Sequence, residues 1–148
     1  IRAHASVAMG IAPTLEAARV IRVVPFIGFV APPAEARTLG GAVIAADAVD
    51  LTARVISNGQ PHRALPLTIS LCTAIAAGIA GTVVAEAARR TEEGTLRLGM
   101  PSGVLTVAAD VGRDAGGAWI ARSGGFYRTA RRLFDGRVWV PGGGSDSG

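Results

Sequence analysis

The feature that most restricts how this chain can fold is a run from Ala64 to Ala85 that carries no charged residue. At 22 residues, the run is long enough to be compared with a transmembrane helix. Proline, glycine and hydroxyl-bearing residues dilute its apolar content, at Pro66, Thr68, Ser70, Thr73, Gly78, Gly81 and Thr82. We therefore predict a small-residue helix buried within a sheet, capped by Thr68 and ended by Gly81, with a membrane span as the alternative.

The composition favours a packed globular protein. The 148 residues suffice for one domain, and 49% of them are hydrophobic against 18% charged. Every basic residue is arginine, so these residues contain no lysine for a Schiff base or a general base. The net charge is +4, but the arginines are scattered along the chain and only 5% of its residues are aromatic, so we expect no nucleic-acid partner.

The single cysteine, Cys72, excludes an internal disulfide. The two histidines, His4 and His62, do not form a metal-ligand pattern with it, so we expect no metal site. From this cysteine and histidine usage we expect a reducing, cytoplasmic location. Ile1 enters a helix-like pattern directly, so we also expect the chain to lack its N-terminal region.

The first half of the chain predicts mostly helices. Residues 2–23 show helical spacing interrupted at Gly10, which predicts two short helices. Residues 25–30 are apolar and aromatic and predict a buried strand, followed by a loop at Gly40-Gly41. Asp47 precedes an apolar pattern that stops at Asn58-Gly59, which predicts a third helix.

The second half alternates like an antiparallel sheet, which makes the predicted architecture α+β with strands around one central helix. Strands are predicted at residues 81–84, 95–98, 104–110, 119–121, 126–130 and 137–140, with turns at 93–94, 114–117 and 135–136. The tail, 142–148, has no apolar residue and is predicted to be disordered.

The stretch from Pro61 to Cys72 carries the residue types of an anion site. His62 and Arg63 stand just before the apolar helix, and the first N–H groups of a helix have no acceptor within it. A substrate carboxylate could bind these N–H groups, and Arg63 could bind a second carboxylate through two hydrogen bonds. The alternative is an ordinary capped helix preceded by a surface arginine and a turn histidine.

Two further positions have open interpretations. Cys72 lies near the start of the predicted helix, where the helix terminus would make a thiol more reactive. It also lies a full turn inside that helix, where a small thiol packs well in a core. The segment from Met100 to Gly103 predicts either a plain turn or a loop whose Ser102 hydroxyl approaches a substrate.

Five short motifs follow one another along the chain: Met9-Gly10, residues 25–30, Pro61-His62-Arg63, Pro101-Ser102-Gly103 and residues 127–131. In their order and spacing they resemble the C-terminal half of the PrpF family of 2-methylaconitate isomerases and oxalomesaconate tautomerases. The resemblance implies the fold of diaminopimelate epimerase, with two similar domains and a cleft between them. Residues 1–141 would be the C-terminal domain, incomplete at its N-terminus.

The resemblance also implies an isomerase that shifts a double bond by proton transfer, without a cofactor. A small unsaturated carboxylate would bind His62, Arg63, Ser102 and Gly103, together with Thr68 and the backbone N–H groups of Ile69, Ser70 and Leu71. The acid/base Lys and Cys of family members belong to the N-terminal half, so we expect no certain catalytic residue in this chain, which alone would be inactive. The missing domain and, in a homodimer, a second copy are the expected partners.

Two residues depart from the family pattern. Met100 stands where a histidine is expected before Pro-Ser-Gly, and Ile69 stands where glycine commonly follows the capping threonine. Both belong to the presumed substrate wall, and a branched side chain at Ile69 would narrow the anion site. A non-catalytic binding or structural protein with the same fold is therefore the alternative function.

Overall fold

A computed structural model describes residues 1–22, 24–57, 59–89, 94–127 and 131–139. Its helices are α1 (Arg2–Ala8), α2 (Leu15–Val20), α3 (Leu67–Ala77) and α4 (Val83–Ala87), with a 3-10 turn at Ala46–Ala48. Its strands are β1 (Ile27–Ala31), β2 (Ala36–Arg37), β3 (Val43–Ile44), β4 (Leu51–Ser57), β5 (Gln60–Pro61), β6 (Thr95–Met100), β7 (Gly103–Arg113) and β8 (Trp119–Phe126).

Six strands form one mixed sheet, in the order β1-β4-β6-β7-β8, with β5 paired to β4. Strands β4 and β6 run parallel, whereas β1–β4, β6–β7 and β7–β8 run antiparallel. The small strands β2 and β3 form a separate hairpin around the predicted loop at Gly40-Gly41. The predicted α+β class is confirmed.

The core lies between the sheet and α3. Leu51, Ala53 and Val55 alternate towards it from β4, as the two-residue period of a strand requires. Strands β6 and β7 add Leu96, Leu98 and Val107, and α3 adds Ala74. Burial of a leucine or valine side chain contributes about 1.5–3 kcal/mol, so this cluster is what holds α3 on the sheet.

Both predicted N-terminal helices are present. In α2 the Thr14 hydroxyl accepts a hydrogen bond from the Ala17 N–H at 3.2 Å, which caps the helix. The predicted strands at 95–98, 104–110 and 119–121 are also present as parts of β6, β7 and β8. The predicted turn after Asp114 forms as well, because the Asp114 carboxylate accepts from the N–H groups of Gly116 and Ala118.

The predicted helix after Asp47 was wrong. A 3-10 turn ends at Ala48, and the residues that follow form β4. The capping signals are local, but Thr52, Val55 and Ile56 are β-branched and prefer strands when neighbouring strands are present to pair with them. Asp50, expected in a first helical turn, instead lies buried beside β6.

The limits and burial of α3 also differ from the prediction. Its N-cap is Pro66 rather than Thr68, and it ends at Ala77 with Gly78 as the C-cap. Thr68 and Cys72 are exposed, so the helix is not buried on all sides and Cys72 does not pack in the core. Proline suits a helix start because its missing N–H is not needed there.

Other strand predictions were wrong in part. Residues 83–87 form α4, because the Thr82 hydroxyl accepts from the Ala85 N–H at 3.1 Å and caps a helix there. Strand β1 exists but lies at the sheet edge, where Phe29 is exposed rather than buried. Residues 137–139 form no strand. Residues 128–130 and 140, together with the predicted disordered tail, lie outside the described residues.

Within the described parts of the chain, none of the helices combines the length and the apolar character that crossing a membrane requires.

Candidate functional site

The start of α3 presents the donors of the candidate site. The helix begins at Leu67, and its N-cap residue, Pro66, has no N–H of its own. Within the described residues, the N–H groups of Leu67, Thr68 and Ile69 have no acceptor. These three groups carry the partial positive charge of the helix terminus, which suits a carboxylate.

The donors lie earlier in the chain than the sequence predicted. Ser70 N–H already donates to the Pro66 carbonyl at 3.0 Å, and the Ser70 hydroxyl donates to the Leu67 carbonyl at 2.8 Å. The side chain of Ser70 is fully buried. Ser70 and the following Leu71 therefore bring no spare backbone donor, whereas Ile69 does. Ile69 itself is half-buried, and its branched side chain packs against the hydrophobic core.

The loop that leads into α3 carries the two predicted polar side chains. His62 N–H donates to the Val55 carbonyl at 2.8 Å, which attaches the loop to β4. The side chains of His62 and Arg63 are exposed. Leu65, by contrast, is buried, and its N–H donates to the Met100 sulfur at 3.3 Å.

The contact between Leu65 and Met100 brings two parts of the predicted site together. Arg63 lies two residues before Leu65, and Ser102 lies two residues after Met100, so each is within about 7 Å of chain from the contact. Ser102 is exposed in the turn between β6 and β7. The helix start, the His62–Arg63 loop and this turn therefore share one end of the sheet.

Gly103 begins β7 with a φ of +131°, a conformation that side chains rarely adopt. Glycine is required here because the chain must reverse directly after Met100. The turn keeps Ser102 at the surface, two residues after Met100.

Arg54 is a residue of this end that the sequence did not reveal. It lies half-buried on β4, and its guanidinium donates to the carbonyls of Ala53 at 2.7 Å and Gly99 at 3.1 Å. A strand assignment for residues 51–57 would have placed Arg54 on the face opposite Ala53 and Val55. The helix expected there concealed it.

The other residues of the prediction are less informative. Thr68 makes no capping hydrogen bond and is exposed. Tyr127 is exposed, with its N–H bonded to the Thr106 carbonyl, and the rest of that motif through residue 130 lies outside the described residues. Among the described residues, no group of three His, Cys, Asp or Glu side chains could hold a metal ion.

A cavity of about 320 Å³ opens at the opposite end of α3, beside Gly78, Arg89 and Trp119. Alanines and glycines form most of its lining. It is separate from the helix start, so it does not belong to the candidate site.

Comparison with known proteins identifies the family. The family model described as PrpF protein matches residues 1–141. This chain belongs to the PrpF family. Its fold is shared with a solved structure, the crystal structure of methylitaconate-delta-isomerase. That match has a TM-score of 0.72 and 31% identity, and it covers 85% of this chain and 35% of the other.

Two curated relatives show how much of a longer protein this chain corresponds to. It is 38% identical over 141 residues to a 2-methyl-aconitate isomerase of Shewanella oneidensis, which covers 95% of this chain. It is 36% identical over 143 residues to a 3-methylitaconate isomerase of Eubacterium barkeri. The chain spans 35% and 36% of the lengths of these two relatives.

Proposed function

We propose that this PrpF-family chain forms one wall of the active site of an isomerase that moves a double bond in an unsaturated di- or tricarboxylate. The observation that carries the proposal is the group of three N–H donors at Leu67, Thr68 and Ile69, next to the exposed Arg63. Two relatives support the substrate class, because they are named 2-methyl-aconitate isomerase and 3-methylitaconate isomerase.

The proposed reaction is a 1,3-proton shift. A base removes a proton from the carbon next to a carboxylate, and the resulting negative charge spreads onto the carboxylate oxygens. An acid then returns a proton two carbons away, which leaves the double bond shifted. We propose that the groups that move the protons come from the rest of the length found in the relatives, and that the reaction uses no cofactor.

The N–H donors of α3 would bind the carboxylate on which charge develops. Such donors are already oriented by the helix, so they require no reorganisation during the reaction. Removal of one comparable donor from an enzyme typically costs about 10²–10³ in rate, which shows how large the contribution of this terminus would be. Backbone donors cannot be removed by a side-chain substitution, so Arg63 and Ser102 are the practical targets.

Arg63 would bind a second carboxylate of the substrate. Its side chain is exposed, and it lies three residues before the N-cap of α3, so substrate and helix terminus can be contacted together. Two parallel hydrogen bonds from guanidinium to carboxylate give this contact geometric specificity. The Ser102 hydroxyl, from the turn between β6 and β7 on the same wall, would add a hydrogen bond to the substrate.

The test is to follow double-bond migration and deuterium uptake from D₂O with the full-length protein and several aconitate- and itaconate-like acids. We expect turnover with at least one acid. In that reaction Arg63→Ala should raise KM at least 10-fold, because a charge-assisted pair is lost. Arg19→Ala, which removes an exposed arginine of α2, is the matched control and should leave KM unchanged.

Two outcomes would count against the proposal. Absence of exchange with every acid, from a folded protein, would leave the non-catalytic alternative, and binding of the same acids without turnover would favour it. Equal effects of Arg63→Ala and Arg19→Ala would remove the assigned role of Arg63 even if the protein is an isomerase.

A further inference from the structure

The side chain of Met100 contacts the loop that leads into α3. Its thioether sulfur accepts the Leu65 N–H at 3.3 Å, and both residues are buried, with 8% and 5% of their surface exposed. Sulfur is a weak acceptor, but a buried N–H has no water to replace it. The contact therefore satisfies the Leu65 N–H and attaches the backbone at this point to Met100.

The backbone around Met100 is fixed from other directions. The Gly99 carbonyl accepts from the Arg54 guanidinium at 3.1 Å, and the Pro101 carbonyl accepts from the Leu39 N–H at 2.8 Å. Residues on both sides of Met100 are thus attached to separate segments of the chain. The Met100 side chain extends from this fixed support to the loop before α3.

That loop is held at two points. His62 N–H is bonded to the Val55 carbonyl at one end, and Leu65 N–H is bonded to Met100 at the other. Arg63 lies between the two points, and α3 begins directly after the second. A shift of Leu65 would therefore move both Arg63 and the helix start relative to Ser102.

We propose that Met100 is a positioning residue for the carboxylate site, acting through Leu65 on Arg63 and the first N–H groups of α3. The proposal rests on the proposed function, in that the positioned groups are those assigned to substrate carboxylates. Met100 does not touch the substrate in this arrangement. It determines affinity rather than the proton-transfer step.

The decisive variant is Met100→Leu in the full-length protein, which removes the sulfur and keeps the apolar volume. We expect the Leu65 amide to exchange with solvent about 3- to 10-fold faster, as loss of one modest hydrogen bond predicts, with Leu98 and Val107 amides unchanged. KM should rise about 3- to 10-fold, with kcat within about 2-fold of the parent value.

Two variants separate positioning from general packing. Leu96→Met makes the reverse exchange at another buried position of the same strand, and it should alter neither the exchange of Leu65 nor KM. Met100→Gln offers an oxygen acceptor on a side chain of similar length, and it should restore slow exchange at Leu65.

Unchanged exchange of Leu65 in Met100→Leu would overturn the proposal. So would exchange in Met100→Leu that becomes faster at Leu98 and Val107 to the same degree as at Leu65, or a Leu96→Met variant that speeds exchange of Leu65 equally. If the parent protein turns over no acid, the proposed function fails, but the exchange comparison still decides whether Met100 holds the loop. Calorimetric titration with tricarballylate, a saturated tricarboxylate, then replaces KM, and an unchanged Kd in Met100→Leu would also count against positioning.

Discussion

The carboxylate of Asp50 binds Arg97 through three hydrogen bonds. Asp50 Oδ2 accepts from the Arg97 backbone N–H at 2.8 Å and from Nε at 3.0 Å, and Oδ1 accepts from Nη2 at 2.7 Å. Asp50 is fully buried, whereas the Arg97 side chain is 38% exposed. Asp50 N–H also donates to the Arg97 carbonyl, so the pair joins the start of β4 to the middle of β6.

Substitutions of the two partners should differ in cost. Arg97→Met leaves the buried Asp50 carboxylate without its cation, so we expect the larger loss in the free energy of unfolding from this variant. Asp50→Asn leaves an arginine that can reach water, so we expect about 1–2 kcal/mol. Urea denaturation of the two variants measures the difference, and a larger loss in Asp50→Asn would contradict this account.

The same pair predicts how stability depends on pH. Burial alone raises the pKa of Asp50, but the hydrogen bonds from Arg97 and the charges of Arg97 and Arg89 outweigh it, so the pKa in the folded protein is lowered. The carboxylate therefore contributes stability above its unfolded pKa of about 4, and that contribution is lost as pH falls towards the lower folded value. Unfolding free energies at pH 7, 4 and 3 should fall less steeply in Asp50→Asn than in the parent.

Close packing at the end of α3 gives a third prediction. A Cβ added at Gly78 would lie 2.9 Å from Cβ and 3.0 Å from Cγ2 of Val111, closer than side chains pack. Gly78→Ala should therefore cost about 1–3 kcal/mol, because α3 must shift away from β7. Gly125→Ala is the control, since a Cβ there meets nothing within 4 Å. Equal unfolding free energies for the two variants would show that α3 adjusts freely.

Substitutions of two threonines test which residues cap α3 and α4. Thr82 caps α4, and its hydroxyl also donates to the Ala76 carbonyl at 2.6 Å, so Thr82→Ala should cost about 1–2 kcal/mol. Thr68 makes no capping bond, so Thr68→Ala should change the unfolding free energy by less than about 0.5 kcal/mol. Thermal or urea unfolding decides, and a large effect at Thr68 would restore it as the cap of α3.

Gly103 links backbone conformation to the proposed site. Because its φ is +131°, Gly103→Ala should cost about 1–3 kcal/mol and displace Ser102, which raises KM in the isomerase assay. Val104→Ala, at the next and exposed position, is the control and should leave KM unchanged. A normal KM in a folded Gly103→Ala protein would show that the turn does not contribute to binding.

The sequence predictions were correct for elements that depend on local interactions and wrong for a segment that depends on pairing with distant strands. The strands at 95–98 and 104–110 were predicted correctly, as was the turn after Asp114, which its own carboxylate stabilises. The helix after Asp47 was wrong, since capping signals within one segment could not reveal that β1 and β6 would pair with it. The family resemblance is confirmed, but the site residues carried over from it stay predictions.

The sequence by itself determined the elements whose causes are local: the uncharged helix, the helix pair at the N-terminus and the alternating strands that follow. The tertiary structure alone decided that Asp50 pairs with Arg97 and that Met100 reaches Leu65. These two contacts join residues 47 and 35 positions apart. Contacts of that range depend on which strands become neighbours, and strand order is set by burial of the whole core rather than by any one segment.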